Sequence, residues 1–340
     1  MVLAIPDERA TADDGEGGAQ VEDDLTTLGE AEFRTIDMGV AQHGERLDRA
    51  LADTVPEFSR SYLQQLLEHG AISLNGRPFS KASQKVKAGD RVVLEMRPTM
   101  ESQAFRPEAM DIDVVYEDPH LLVVHKPAGL VVHPAPGNWT GTLLNGLMAR
   151  DPRSAQVPRA GIVHRLDKDT SGLMVVARSR SAMDALVHMI AQRQVHRQYL
   201  ALAHGSWQGA ANITLEGSIG RDPRNRLRMA VVNLAMHAGK TARTDVELLT
   251  RCEQGSWVRC TLHTGRTHQI RVHMATAGHP LVGDVLYGGA MAAGMKRQAL
   301  HAFRLAFVHP VSGEALEFLA PLPNDMRSAL GEWGLGYNGL

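Results

Sequence analysis

Asp167 lies within the run Gly161-Ile162-Val163-His164-Arg165-Leu166-Asp167-Lys168-Asp169-Thr170-Ser171-Gly172. That run gathers one histidine, two cations, two carboxylates and two hydroxyls. Apolar residues lead into it, and the strand-like block Leu173 to Ala177 leads out. It reads as a short loop between two buried strands. Charges held near a core are costly unless they are paired or used. Arg165 and Lys168 flank Asp167 in sequence, and cations beside a carboxylate favour its ionised form. An aspartate nucleophile needs that form. Two further segments carry reactive side chains. Val195-His196-Arg197-Gln198-Tyr199-Leu200-Ala201 centres on Tyr199, and Leu262 to His273 contains His263, Arg266, His268, Arg271 and His273.

Residue types alone leave several chemistries open. Asp167-Lys168-Asp169-Thr170 resembles the opening of the D-x-D-x-T loop of magnesium-dependent phosphohydrolases, with Ser171 at its fifth position. That chemistry expects an apolar strand running directly into the first aspartate, and here His164 and Arg165 interrupt it. Cys252, Cys260, His263, His268 and His273 lie close in sequence, but their intervals are not a zinc spacing, and no metal is expected. Tyr199 in an alternating strand could be a core aromatic, Leu262 a core residue, and Arg271 a solvent-facing helix residue.

The elements that must position these residues can be traced from pattern. Arg46 to Ala52 and Arg60 to His69 read as helices, the second capped by Ser59 and closed by Gly70. Ala71 to Leu74 is a strand, Asn75-Gly76 a hairpin turn, and Arg91 to Met96 a strand after the Lys87-Ala88-Gly89-Asp90 turn. Residues 98–110 read as a linker. Beyond it strands dominate: 113–116, 121–125, the segment 130–134 after the Lys126-Pro127-Ala128-Gly129 turn, 197–203, a hairpin of 243–252 and 257–263, and 300–308. Helices are expected over 142–149, 181–192 and 267–276. The order is α+β, a mixed and mostly antiparallel sheet, without the alternation of a doubly wound fold. The domains expected are an acidic disordered tail at 1–30, a small α/β unit at 37–100, a larger unit at 111–325 and a C-terminal tail at 326–340.

Together the three reactive segments resemble the RluA-type pseudouridine synthase family. His164-Arg165-Leu166-Asp167 with Thr170-Ser171-Gly172 is similar to its catalytic motif, and Gly265 to Arg271 to its third motif. Lys126 to Pro134 is similar to its opening strand pair, and His279-Pro280-Leu281-Val282-Gly283-Asp284 to the loop after the third motif. The helix–helix–hairpin unit in front resembles an S4 RNA-binding domain. These resemblances imply an isomerase that converts uridines to pseudouridine in 23S ribosomal RNA, alone or in a large-subunit precursor particle, without a cofactor. They imply Asp167 as nucleophile, Tyr199 packed on the uracil, and Arg271 paired with Asp167. Arg165 would support the flipped base, Leu262 would lie under the uracil, and His164 would shape the substrate loop. Arg60, Arg77, Lys81, Lys85 and Lys87 would meet RNA phosphates. The family often has lysine where Arg197 stands, and Arg197 receives no catalytic role. A non-catalytic RNA-binding protein is the reading that the S4-like unit alone would support.

Composition agrees with a folded chain of more than one domain: 340 residues, 44% hydrophobic and 22% charged. The net charge of −2 conceals an asymmetry, because residues 1–30 hold nine acids and one base and leave the rest net basic. A basic body suits a polyanionic partner. No apolar run has the length of a membrane span, no signal peptide is read at the N-terminus, and two cysteines suggest a reducing cytoplasm. A cytoplasmic monomer is expected.

Overall fold

A computed structural model describes residues 32–96, save positions 57 and 59, and 104–336, save positions 136 and 226. The acidic segment 1–30, the Ser59 cap and most of the first half of the linker lie outside the described residues. The chain divides near residue 100 into two compact units.

The first unit contains β1 (Glu32–Asp37), α1 (Leu47–Thr54), α2 (Arg60–Glu68), β2 (Ile72–Leu74), β3 (Arg77–Pro78) and β4 (Arg91–Met96). Its strands are antiparallel in the order β1-β4-β2-β3. Asn75 and Gly76 both have positive φ, 52° and 78°. This is the geometry of the two-residue turn that joins twisted strands. Leu47, Leu51, Leu63 and Leu67 from the helices are buried against Ile72, Val92 and Leu94 of the sheet. Arg77, Lys81, Lys85 and Lys87 are exposed. Arg60 opens α2, and its side chain lies outside what is described.

The second unit is built on a ten-stranded sheet. It begins with β5 (Val114–Glu117), β6 (Leu121–Lys126), α3 (Leu143–Arg150), β7 (Ser171–Ala177), α4 (Arg180–Ala191), β8 (His196–His204) and β9 (Asn212–Arg221). It continues through β10 (Met229–Val231), β11 (Lys240–Arg251), β12 (Gly255–Leu262), α5 (Gln269–Thr276), β13 (Leu300–Val308), β14 (Ala315–Leu319) and α6 (Asn324–Glu332). The order is β10-β9-β11-β12-β8-β13-β7-β6-β5, with β14 on β13. Every pairing is antiparallel except β13 with β7.

Both faces of the central strands are covered. Met174 and Val176 of β7 and Tyr199 and Ala201 of β8 face α3 and α5. Leu173 and Val175 face α4, while Leu200 and Leu202 face α6. The two-residue alternation of a strand assigns these partners. All seven residues of β7 are consequently buried. Gly172, at φ +122°, pairs with Ala302 on β13, and a Cβ there would come 2.2 Å from the Ala302 carbonyl oxygen. A glycine is required where the chain leaves the Asp167 loop.

Several expectations change. Residues 130–134 are irregular, not a strand, and the turn before them is tied to Lys168 instead. The Asp167 loop joins one strand, not two: upstream lie a tight turn at Pro158–Gly161, left-handed at Arg159 and Ala160, and a single bridge from Ile162 to Val176. Helix α5 begins at Gln269, because His268 is left-handed at φ +56°. Residues 326–332, expected in a tail, belong to α6, whose Met326, Ala329 and Leu330 bury against Trp257 and Phe303. No helix among the described residues is long and apolar enough to cross a membrane.

Candidate active site

The start of β7, the start of β8, the end of β12 and the start of α5 converge on one side of the sheet. Gly172, Ala302, Tyr199 and Cys260 form a row across four adjacent strands. Above that row opens a cavity of about 470 Å³, lined among others by His164, Arg165, Asp167, Tyr199, Leu262 and Arg271. Six positions expected at the site from sequence therefore share one cavity.

The Asp167 loop is fixed through its backbone. Lys126 is 1% exposed, and its Nζ donates to the carbonyls of Pro127, Leu130 and Lys168 at 2.7, 2.9 and 2.9 Å. Burial pushes this ammonium down to about 7, with Asp169 and Asp167 working in the other direction. Arg297 Nη1 donates to the Asp169 carbonyl at 3.0 Å. Thr170 N–H closes the turn onto the Asp167 carbonyl at 3.1 Å. Buried Leu166 anchors the loop in the core.

Asp167 meets a cation that sequence proximity does not supply. Arg165 and Lys168 are exposed; Arg271, 104 positions away, donates from Nη1 to Asp167 Oδ2 at 3.0 Å. The same guanidinium grips Asp284 with two bonds, Nε to Oδ2 and Nη2 to Oδ1, both 2.8 Å. Its carbon lies 5.0 Å from the centre of the Tyr287 ring, a cation–π distance. Arg271 stands in the first turn of α5, where the helix dipole disfavours a cation. Burial opposes its charge as well, but the Asp284 hydrogen bonds and the charges of Asp284 and Asp167 outweigh that and raise its pKa. A fork of five donors can satisfy two carboxylates in one plane, which a lysine cannot.

His268 and Tyr287 complete this side. Met229 N–H donates to the Tyr287 hydroxyl at 3.0 Å, and that hydroxyl lies 2.8 Å from His268 Nδ1. The assignment that satisfies both has the hydroxyl donating to Nδ1, which leaves the proton on His268 Nε2. Nε2 lies 3.9 Å from Asp167 Oδ1, beyond hydrogen-bond reach. Gln269 locks the start of α5. It accepts from Thr264 Oγ1 and Arg266 N–H at 2.7 and 3.1 Å and donates to the Arg243 carbonyl at 3.0 Å.

Tyr199 is 5% exposed, and burial first, with the Asp167 charge also acting, pushes its hydroxyl up to about 12. At neutral pH it is a phenol presenting an aromatic face. Leu262 lies on the neighbouring strand, two residues beyond Cys260, the register partner of Tyr199. The two side chains therefore share a face of the sheet. Asp284, Tyr287, Lys126 and Arg297 were given no role from sequence. A carboxylate following the apolar pair Leu281-Val282 and a glycine was the available signal for Asp284. A lysine ending the apolar run Leu121 to Val124 was the signal for Lys126.

The pattern of an RNA pseudouridylate synthase matches residues 120–276, which hold Asp167, Tyr199, Leu262 and Arg271, and an S4 domain matches residues 45–92. The chain belongs to the RNA pseudouridylate synthase family, enzymes that isomerise uridine to pseudouridine in RNA. Its relatives include the ribosomal large subunit pseudouridine synthase D of Neisseria meningitidis serogroup B, 48% identical over 334 residues, 94% of this chain and 87% of that protein. The protein of the same name from Xylella fastidiosa is 47% identical over 309 residues, 87% of this chain and 90% of that one. Among solved structures, human RNA pseudouridylate synthase domain containing 1 aligns with a TM-score of 0.50 at 29% identity, covering 66% of this chain and 86% of its own. The phosphohydrolase alternative finds no support in these relationships. Among the described residues no cluster of three or more metal-binding side chains exists.

Proposed function

We propose that this protein isomerises uridines of large-subunit ribosomal RNA, 23S in bacteria, to pseudouridine, with Asp167 as the nucleophile. The observation that carries the mechanism is the division of labour on Asp167. Oδ2 is held by Arg271 at 3.0 Å, while His268 Nε2 stands off from Oδ1 at 3.9 Å, and Asp167 lines the cavity. A carboxylate with one oxygen fixed and the other free is oriented to attack. The face of Tyr199 and the side of Leu262 offer a platform for a pyrimidine, and a base in a helix must flip out to reach it. Arg165, exposed at the cavity and next to the nucleophile loop, is placed to support the displaced stack.

The names of the relatives and the S4 domain support ribosomal RNA as the substrate, free or in a precursor particle. Arg159, Arg165 and Arg193 stand exposed around the cavity, a rim suited to phosphates. Exposed Arg77, Lys81, Lys85 and Lys87, with Arg60, would give the S4 unit its phosphate contacts. The working form is a cytoplasmic monomer that uses no cofactor. The test is carbodiimide mapping of ribosomal RNA from a deletion strain. Wild type is expected to restore pseudouridine at sites that Asp167→Asn leaves as uridine. Restoration by Asp167→Asn would refute the nucleophile.

A further inference from the structure

Two buried donors of the cavity have no partner. Arg197 is 7% exposed, and its Nε–H meets no acceptor among the described residues. It stands two residues before Tyr199 on β8, so both side chains fall on one face, and it lies directly across from Leu262 in the β8–β12 register. A Cβ on Gly265 would come within 2.9 Å of its Nη1, so the bare backbone there leaves the guanidinium its room. His164 lines the same cavity. Val175 N–H donates to His164 Nε2 at 3.1 Å. Burial, helped by the nearby Arg197 charge, pushes the ring down to about 3, so it is neutral. A neutral ring that accepts at Nε2 carries its proton on Nδ1, and Nδ1 too is buried without a partner. Unmet buried donors are costly; two in one cavity mark a place where a ligand brings the acceptor.

We propose that Arg197 and His164 Nδ1–H form a donor pair that takes a carbonyl oxygen of the flipped uracil and so separates uridine from cytidine. This rests on the uridine-isomerase reading above. In that reaction the N1–C1′ bond breaks, the ring turns about its N3–C6 axis, and the C5–C1′ bond forms. C5 then loses a proton and N1 gains one. The turn exchanges N1 with C5 and O2 with O4. A donor pair fixed at one carbonyl position therefore meets an oxygen both before and after the turn. Cytosine would bring its 4-amino group to that position at one end of the reaction, donor against donor, and the buried donors would go unmet. A phosphate is the poorer occupant, because buried Arg197 stands beside Tyr199 and opposite Leu262 on the sheet face while the exposed arginines sit at the rim.

The experiment uses the full chain and a transcript of large-subunit ribosomal RNA tritiated at uridine C5, with tritium release followed under single-turnover conditions. Losing one charge-assisted donor in Arg197→Met is expected to slow release about tenfold to a hundredfold, while filter-binding affinity for the transcript stays within about threefold. Arg197→Lys, which keeps the charge but not the fork, recovers part of the rate. A tritiated transcript with 4-thiouridine in place of uridine, a weaker acceptor, slows wild type and leaves Arg197→Met no slower than on uridine. That arm reads the wild-type protein and stands even if Arg197→Met melts early: equal wild-type rates on both transcripts overturn the proposal. An Arg197→Met variant that keeps the rate, with or without loss of RNA affinity, also overturns it. Wild type that releases no tritium, or Asp167→Asn that still does, overturns the underlying reading instead.

Discussion

Replacing Asp284 with asparagine isolates what holds the nucleophile. Asp284 is 2% exposed and receives two of the three hydrogen bonds made by Arg271. Asparagine keeps the shape and one acceptor oxygen, but it removes the charge and turns an amide N–H toward a guanidinium donor. Arginine cannot shed its proton to escape, so Asp167 becomes its sole counter-ion. Removing one partner of a buried ion pair costs about 3–5 kcal/mol, and the conserved shape puts this substitution near the low end. With roughly 2–4 °C per kcal/mol for a unit of this size, the melting transition of the second unit should fall by about 6–12 °C. The guanidinium should also swing toward Asp167 and engage Oδ1, the oxygen needed for attack; displacement of about 1 Å at a reacting group costs on the order of 100-fold in rate. Calorimetry of the full chain and single-turnover tritium release measure the two effects. Glu317→Gln is the control. Its pair with Arg304 is as short, 2.7 Å, but the two side chains are 31% and 54% exposed, so about 1 kcal/mol or less is at stake. An Asp284→Asn protein that melts within about 2 °C of wild type, or no lower than the control, would refute the claim that the buried fork carries this energy.

Other consequences are more local. Lys126→Met removes the ammonium shared by three carbonyls, and amide exchange should quicken at Gly129 and Thr170, whose N–H groups bond Lys168 and Asp167; unchanged exchange there would count against Lys126 as the anchor. Burial pushes His133 and His301 down to about 4 and His164 to about 3. The unfolded chain, with histidines near 6.5, takes up protons first, so stability should fall as pH drops from about 6.5 toward 4, by up to about 1.4 kcal/mol per unit for each ring. Urea midpoints over that range check it: His301→Asn should flatten the slope by about one proton, and a slope equal to wild type would exclude the ring. Neutralising Lys81, Lys85 and Lys87 together should weaken RNA binding and lower the salt slope by about one per lost phosphate contact; an unaltered slope places the phosphate contacts elsewhere.

The strands whose side chains alternate cleanly between two covered faces were legible from sequence. Arg197 to Ala203 and Leu300 to Val308 are examples, because each consecutive residue has a different apolar layer to fill. Strands at the far edge were not. In β9, residues 212–217 alternate between exposed and only partly buried, so Ile213 and Leu215 stand among polar neighbours too weakly patterned to register. Helix α6 was hidden for a different reason. Its inward residues Met326, Ala329 and Leu330 keep helical spacing, but Pro321, Pro323 and a glycine-rich end frame them like a tail. The boundary of α5 depended on His268 adopting a left-handed conformation, in which its ring meets the Tyr287 hydroxyl, rather than on any local propensity.

The site shows why motif spacing identifies participants without revealing their connections. Asp167 looked sufficient within its own loop because cations flank it in sequence. Those cations are exposed, and a residue on helix α5 supplies the contact. Arg271 in turn occupies a position that its own helix disfavours, made tenable by Asp284 on a later turn. That turn is tied to the end of β8 through Val282 N–H and the Leu202 carbonyl. The strand that carries Tyr199 therefore also anchors the carboxylate that fixes Arg271. Nucleophile and platform thus refer to one central strand, and the α5 arginine is the element through which a disturbance of either reaches the other. This is the physical reason for expecting Asp284→Asn, a change outside the cavity lining, to act on the chemistry as well as on stability.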